Sequence, residues 1–274
     1  MAESFQILST MRFEPEILSA SEGISSDYPD SSQYYLLSFH FDRMLAAAQD
    51  FGWEKAIGKL QQKSDRKENI MALQKALDEF VPDRTHAWRL RVLLDKNGEL
   101  TVEKASTTPF SEHILLIPKP VAPDTRPTFS YLLASSTGSL PVWSLRLDTQ
   151  STPPSKFTRH KTTSRDAYNT ARTRAGILSL AENNEVLLYN PDGEVMDGSI
   201  TSLYFKRPSE EGATWVTPPL SSGGTNSTTR RYVLESGLCE ERVVKVDDLV
   251  DGEEVWLSNG ARGFMRAVLD FNAM

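Results

Sequence analysis

The segment Arg159-His160-Lys161-Thr162-Thr163-Ser164-Arg165 follows a Pro/Ser-containing loop and opens onto a helical pattern, placing one lysine at the mouth of a helix between two arginines. A charged cluster at such a point ordinarily marks a solvated helix start. The other reading is that the amine does chemistry, which requires it to be neutral; desolvation and cationic neighbours both favour the neutral form. The order of the segments around Lys161 decides between the two. Arg43 lies upstream, an acidic turn covers 192–198, and a loop of small residues covers 221–229.

A chain of 274 residues exceeds one compact domain and leaves room for two lobes with a cleft between them. Hydrophobic content of 39%, charged content of 24% and a mean hydropathy of −0.39 are those of an ordinary globular protein. The net charge of −7 argues against nucleic acid as a partner. It leaves open a few arginines focused on a small anionic substrate. No apolar run reaches the length of a membrane span, and the N-terminus lacks a signal-peptide pattern, so the expected location is cytoplasmic with no membrane partner. The single cysteine, Cys239, excludes an internal disulfide and a cysteine-rich metal site, and it reads as packing; no metal is expected.

Working outward from Lys161, Tyr168, Ala171, Ala175 and Leu178 form the apolar face of a helix beginning near Ser164. Glu185 to Tyr189 reads as a strand, Asn190-Pro191-Asp192-Gly193 as a tight turn, Ser202 to Phe205 as a strand, Arg230 to Ser236 as a helix and Val255 to Ser258 as a strand. A glycine-interrupted segment covers 259–268. Towards the N-terminus, residues 5–13 form a strand, and Phe41, Met44, Leu45, Ala48 and Phe51 mark a helix over 40–51. A helical region over 54–80 breaks near Lys63-Ser64-Asp65-Arg66. Trp88 to Leu94 and Leu100 to Glu103 form a hairpin about Asp95-Lys96-Asn97-Gly98. Ile114 to Ile117 is a candidate last strand of this first lobe. Residues 1–117 then form a small N-terminal α/β lobe, 118–127, with four prolines, form the linker, and 128–274 form the larger lobe.

Four segments in this order resemble the class IV aminotransferase family, the fold-type IV enzymes dependent on pyridoxal phosphate. They are Phe39-His40-Phe41-Asp42-Arg43-Met44, Lys161-Thr162-Thr163-Ser164-Arg165, Glu185 through Asp197-Gly198-Ser199-Ile200-Thr201-Ser202-Leu203-Tyr204-Phe205, and Thr217-Pro218-Pro219-Leu220-Ser221-Ser222-Gly223. The resemblance implies an α+β, two-lobed fold-type IV architecture, its larger lobe built on a barrel-like sheet, and a homodimer. It implies that Lys161 carries the cofactor, that Asp197 faces the pyridine nitrogen, and that Arg43 with Ser227, Thr228 and Thr229 holds the phosphate. Relatives carry glutamate where this chain has Asp197, glycine at Ser227, and a serine or threonine at Gly260. By itself Met196-Asp197-Gly198-Ser199 reads as a β-turn.

Within the family, Lys-Thr-Thr-x-Arg, the strand Leu8-Ser9-Thr10-Met11-Arg12 and the closing Ser258-Asn259-Gly260-Ala261-Arg262-Gly263 are more similar to the 4-amino-4-deoxychorismate lyase branch. The expected reaction is then loss of pyruvate to give p-aminobenzoate for folate synthesis, with Lys161 shuttling the proton and Thr10 assisting by hydrogen bonding. Arg12, Arg89 and Arg91 are the candidates for the substrate's carboxylates, since planar guanidinium forks match them. Two further readings stay open. One is an aminotransferase acting on a branched-chain, D-amino acid or amine substrate. The other is a family-shaped protein without catalysis, suggested by the short N-terminus and the substitutions at 197, 227 and 260.

Overall fold

The structure, a computed structural model, describes residues 5–19, 30–109, 114–117, 129, 141–210 and 212–271. Period-two alternation builds the small lobe. β1 (Ile7–Phe13), β2 (Trp88–Leu94) and β3 (Leu100–Ser106) form an antiparallel sheet in the order β1-β2-β3. Ile7, Met11, Phe13, Leu90, Val92 and Leu94 project from one face. They bury against Leu37, Phe41, Met44, Ala47 and Ala48 of helix α1 (Leu37–Asp50), with α2 (Glu54–Leu60) and α3 (Arg66–Asp78) completing the cover. The register pairs Thr10 with Arg91 and Arg12 with Arg89. Directly opposed antiparallel residues share a face, so all four project from the side away from α1.

The large lobe is an eight-stranded sheet, ordered β6-β5-β4-β11-β10-β7-β8-β9, that curls into a half-barrel. Its strands are β4 (Trp143–Leu147), β5 (Asn184–Tyr189), β6 (Val195–Gly198), β7 (Ser202–Ser209), β8 (Gly212–Thr217), β9 (Glu240–Glu241), β10 (Glu254–Asn259) and β11 (Gly263–Leu269). Leu145, Leu187, Phe205, Val255 and Leu257 fill its interior. Helices α4 (Lys156–Arg159) and α5 (Asp166–Arg174) flank Lys161, and α6 (Thr228–Glu235) follows the small-residue loop. A second cluster joins the lobes: Tyr35, Leu36 and Phe39 at the start of α1 pack with Tyr232, Trp256 and Phe264.

Several expectations change. Ile114 to Ile117 is a buried turn, and Leu115, Leu116 and Ile117 pack with Tyr232 and Trp256 rather than extending the small sheet. A four-residue aliphatic run carries no period that separates a strand from any other buried segment. The acidic stretch at 192–198 is a hairpin whose second arm, β6, is itself a strand, so Asp197 is a sheet residue paired with Leu188. Gly260 and Gly263 concealed β11, which pairs with β10 and β4 in the middle of the sheet. Helix α5 stops at Arg174, leaving Leu178 89% exposed while Ile177 takes the core position. The expected linker 118–127 lies outside the described residues. Among the described residues no helix is long and apolar enough to cross a membrane.

Candidate active site

Lys161 sits where the two lobes are stitched together. Its carbonyl accepts the Leu8 N–H at 2.9 Å, Thr163 N–H donates to the Gln6 carbonyl at 2.9 Å, and Ile7 bridges to Thr162. The N-terminal strand thereby fixes the backbone on both sides of the lysine. The amine lies well below the ordinary lysine range, first because of burial and then because Arg165 and Arg43 are near; Asp197 and Glu185 oppose this. Such an amine is held neutral and nucleophilic. Arg165 is fixed in turn by donating to the Ser199 carbonyl at 2.6 Å and by lying 4.9 Å from the centre of the Tyr168 ring.

The acidic side of the site is built from β5 and β6. Asp197 is 7% exposed, and its carboxylate oxygens accept the N–H of Gly198 at 3.0 Å and of Thr225 at 3.2 Å. Burial pushes its carboxyl up to about 7, with Thr225 and Lys161 pulling the other way. The loop that supplies Thr225 can come this close only because of Gly224, where a Cβ would stand 2.2 Å from the Met196 carbonyl oxygen. Thr225 is tied back to the lysine segment, donating through its hydroxyl to the Thr158 carbonyl at 2.8 Å and meeting the Tyr168 hydroxyl at 3.0 Å. The aspartate is thus clamped by backbone on two sides.

Glu185 organises the turn after Asp197. It is fully buried and accepts the N–H groups of Val186, Ser199 and Ile200 together with the hydroxyls of Ser199 and Thr201. Five donors thus converge on its two oxygens. In sequence Glu185 reads as the first residue of a strand and of one family-like segment, with no role at the site. The clue was a glutamate at the head of an otherwise apolar β-run.

On the opposite side of Lys161, the first turn of α1 and the start of α6 meet. Ser227 caps α6 by accepting the Arg230 N–H at 3.1 Å and contacts the Ser202 hydroxyl at 2.6 Å. Thr229 accepts the Ser258 hydroxyl at 2.7 Å. Of the three hydroxyls expected to reach a phosphate, only that of Thr228 lies buried without a hydrogen-bond partner among the described residues. The Arg43 Nε and the His40 Nε2 share that condition. Burial, with Arg231 near, brings the Arg43 guanidinium down to about 10. Unpaired buried donors at a helix start, with a desolvated arginine beside them, call for an anion. A neutralised lysine, a clamped carboxylate opposite it and this anion cradle fit a phosphorylated pyridine aldehyde.

Thr10, Arg89 and Arg91 lie on the outer face of the small sheet, Thr10 and Arg91 two residues along from the Leu8 contact to Lys161 and Arg89 four. Arg91 pairs with Glu103 at 2.7 Å, and Arg89 is exposed. Arg12 corrects the expectation that it meets substrate. Its side chain is fully buried, donating to Glu14 at 2.7 Å and to the Thr108 carbonyl at 2.5 Å, with the Ala261 carbonyl 3.5 Å away. It ties β1 to the Ala261 loop instead. Cys239 is buried with its thiol pushed up to about 12, consistent with packing.

The sequence profile described as amino-transferase class IV matches residues 22–268. An aminodeoxychorismate lyase of Saccharomyces cerevisiae is 28% identical over 228 residues, covering 74% of this chain; the chain spans only 57% of the yeast protein's length. A proposed amino-acid aminotransferase from Mesorhizobium loti superposes with a TM-score of 0.61 at 26% identity, covering 97% of this chain and 99% of the other. A proposed branched-chain amino acid aminotransferase from Thermotoga maritima gives 0.59 at 19% identity, over 98% and 78% of the two chains, a likeness of fold. By the extent of the profile match and the site that its matched residues build, the chain belongs to the class IV aminotransferase family of pyridoxal-phosphate-dependent enzymes.

Proposed function

We propose that the protein is a 4-amino-4-deoxychorismate lyase, releasing pyruvate and p-aminobenzoate. The observation that carries the reading is the 28% identity to the yeast aminodeoxychorismate lyase over 228 residues. The outer face of the small sheet supports it, since Arg89, exposed on the strand next to the one that meets Lys161, offers a cationic fork to an anionic substrate, with Arg91, paired with Glu103, beside it.

Lys161, Asp197, Arg43 and Thr228 would hold the cofactor. When bound, pyridoxal phosphate supplies an electron sink for negative charge at the carbon bearing the substrate amine. Asp197 would hold the proton on the pyridine nitrogen, which keeps that sink effective. Lys161, neutral through burial, takes the proton from that ring carbon. The carbon–oxygen bond to the enolpyruvyl group then breaks as the ring becomes aromatic, and the departing group takes up one proton to become pyruvate. Thr10 assists by hydrogen bonding from the arginine-bearing face. The active assembly in this reading is a cytoplasmic homodimer.

The second reading, an amino-acid aminotransferase, is favoured by the Mesorhizobium loti structure, which matches nearly the whole of both chains. The assay that separates them feeds purified, cofactor-loaded protein with aminodeoxychorismate and follows p-aminobenzoate fluorescence. In parallel, amino transfer is measured from a panel of amino acids to keto acids. Aromatic product without keto acid supports the lyase; sustained transamination with no aromatic product sinks it.

A further inference from the structure

We infer that His40 is a phosphate-binding residue of this protein, presenting a neutral Nε2–H to the cofactor phosphate in place of the hydroxyl that position 260 cannot carry. The inference rests on the cofactor assignment and is independent of whether the enzyme is a lyase or a transaminase.

The tautomer follows from hydrogen-bond direction. The Arg43 Nη2 has only protons to give. It donates to the Ser9 hydroxyl oxygen at 2.8 Å and lies 3.3 Å from the His40 Nδ1. That contact requires a lone pair on Nδ1, and the Ser9 hydroxyl, 2.8 Å from the same nitrogen, then donates its proton to it. Two donors therefore converge on Nδ1, which must present a lone pair, and the ring proton resides on Nε2. Burial, with Arg43 and Lys161 close by, keeps the ring from taking a second proton. The fully buried imidazole thus offers one donor, and that donor finds no partner among the described residues.

Where that donor sits explains the glycine. A Cβ on Gly260 would lie 2.8 Å from the His40 Nε2 and 3.0 Å from the Thr228 Oγ1. The edge of the imidazole occupies the room a side chain at 260 would need, and Nε2–H and the Thr228 hydroxyl flank one point at the start of α6. Both are buried and unpartnered, as is the Arg43 Nε. Three donors from α1 and α6 thus surround a helix N-terminus that already favours an anion. Ser9, on β1, is the positioning residue, since its hydroxyl sets the tautomer.

The test compares pyridoxal 5'-phosphate with pyridoxal, which lacks the phosphate, using the visible band of the lysine-bound aldehyde as the readout. His40→Phe should weaken pyridoxal phosphate by about tenfold to a hundredfold, the loss of one hydrogen bond to a charged group, and leave pyridoxal binding within about twofold. His40→Gln, which keeps a donor, should recover most of the difference. In the wild-type protein, 15N NMR of the histidines should show the Nε2–H form for His40, with its proton resonance moving downfield on addition of inorganic phosphate or pyridoxal phosphate. Equal weakening of both aldehydes by His40→Phe, or an Nδ1–H ring in the wild type, would overturn the inference. A protein that binds the cofactor normally yet gives no p-aminobenzoate contradicts the lyase reading alone.

Discussion

Replacing Asp197 by asparagine should make the cofactor-free protein gain stability relative to wild type as pH rises and should impair the loaded one, and the first effect can be worked out. Burial lifts the Asp197 carboxyl from an ordinary 3.8 to about 7. Between those values the native protein keeps a proton that the unfolded chain has released. Its contribution to stability is therefore complete below about pH 4 and is lost as pH rises through 7. Over about three pH units at 1.36 kcal/mol each, the loss is about 4 kcal/mol, and relaxation around the carboxylate brings it nearer 2 kcal/mol. Asparagine has almost the same shape and does not ionise. In urea unfolding of the cofactor-free proteins, the stability of Asp197→Asn relative to wild type should rise by about 2 to 4 kcal/mol between pH 3.5 and pH 8, over a pH-independent cost for the one backbone N–H that the amide nitrogen cannot accept. Other titrating groups are common to both proteins and cancel. With pyridoxal phosphate bound the sign reverses, because the carboxylate then faces a protonated pyridine nitrogen, and the variant should bind the cofactor at least about tenfold more weakly. Parallel stability–pH curves for the two cofactor-free proteins would refute the reasoning.

Lys161→Ala should abolish the visible band of the loaded protein and lower turnover by about a thousandfold or more, measured in the fluorescence assay. Glu185→Gln should cost about 2 to 4 kcal/mol in urea unfolding, because the neutral amide cannot satisfy five converging donors. Arg12→Ala should destabilise by about 3 to 5 kcal/mol by leaving buried Glu14 unpaired. Arg89→Ala or Arg91→Ala should leave stability and cofactor affinity unchanged while raising KM for the anionic substrate about tenfold, as steady-state kinetics would register.

Lys161, Arg43 and Asp197 are grouped in the sequence by the resemblance to a family whose motifs follow one order; the residues by themselves read as a solvated helix start, a helix arginine and a β-turn. The chain's own residue pattern located the hairpin of β2 and β3 and the α1 helix, where turn chemistry and a repeating apolar stripe are local properties. β11 and β6 escaped it, since glycines and a four-residue length erase the alternation that marks a strand. The fork of Arg12 closes on Glu14 and on carbonyls as far along the chain as Thr108 and Ala261, and no local pattern announces that pairing. Thr225 clamps Asp197 from 28 residues away and Ser9 sets the ring of His40 from 31. Lys161 is legible as a chemical lysine through the order of the family-like motifs around it. What makes it one is burial among Arg165, Arg43, Asp197 and Glu185, brought together by folding, because desolvation belongs to the surroundings in space and not to the order of residues.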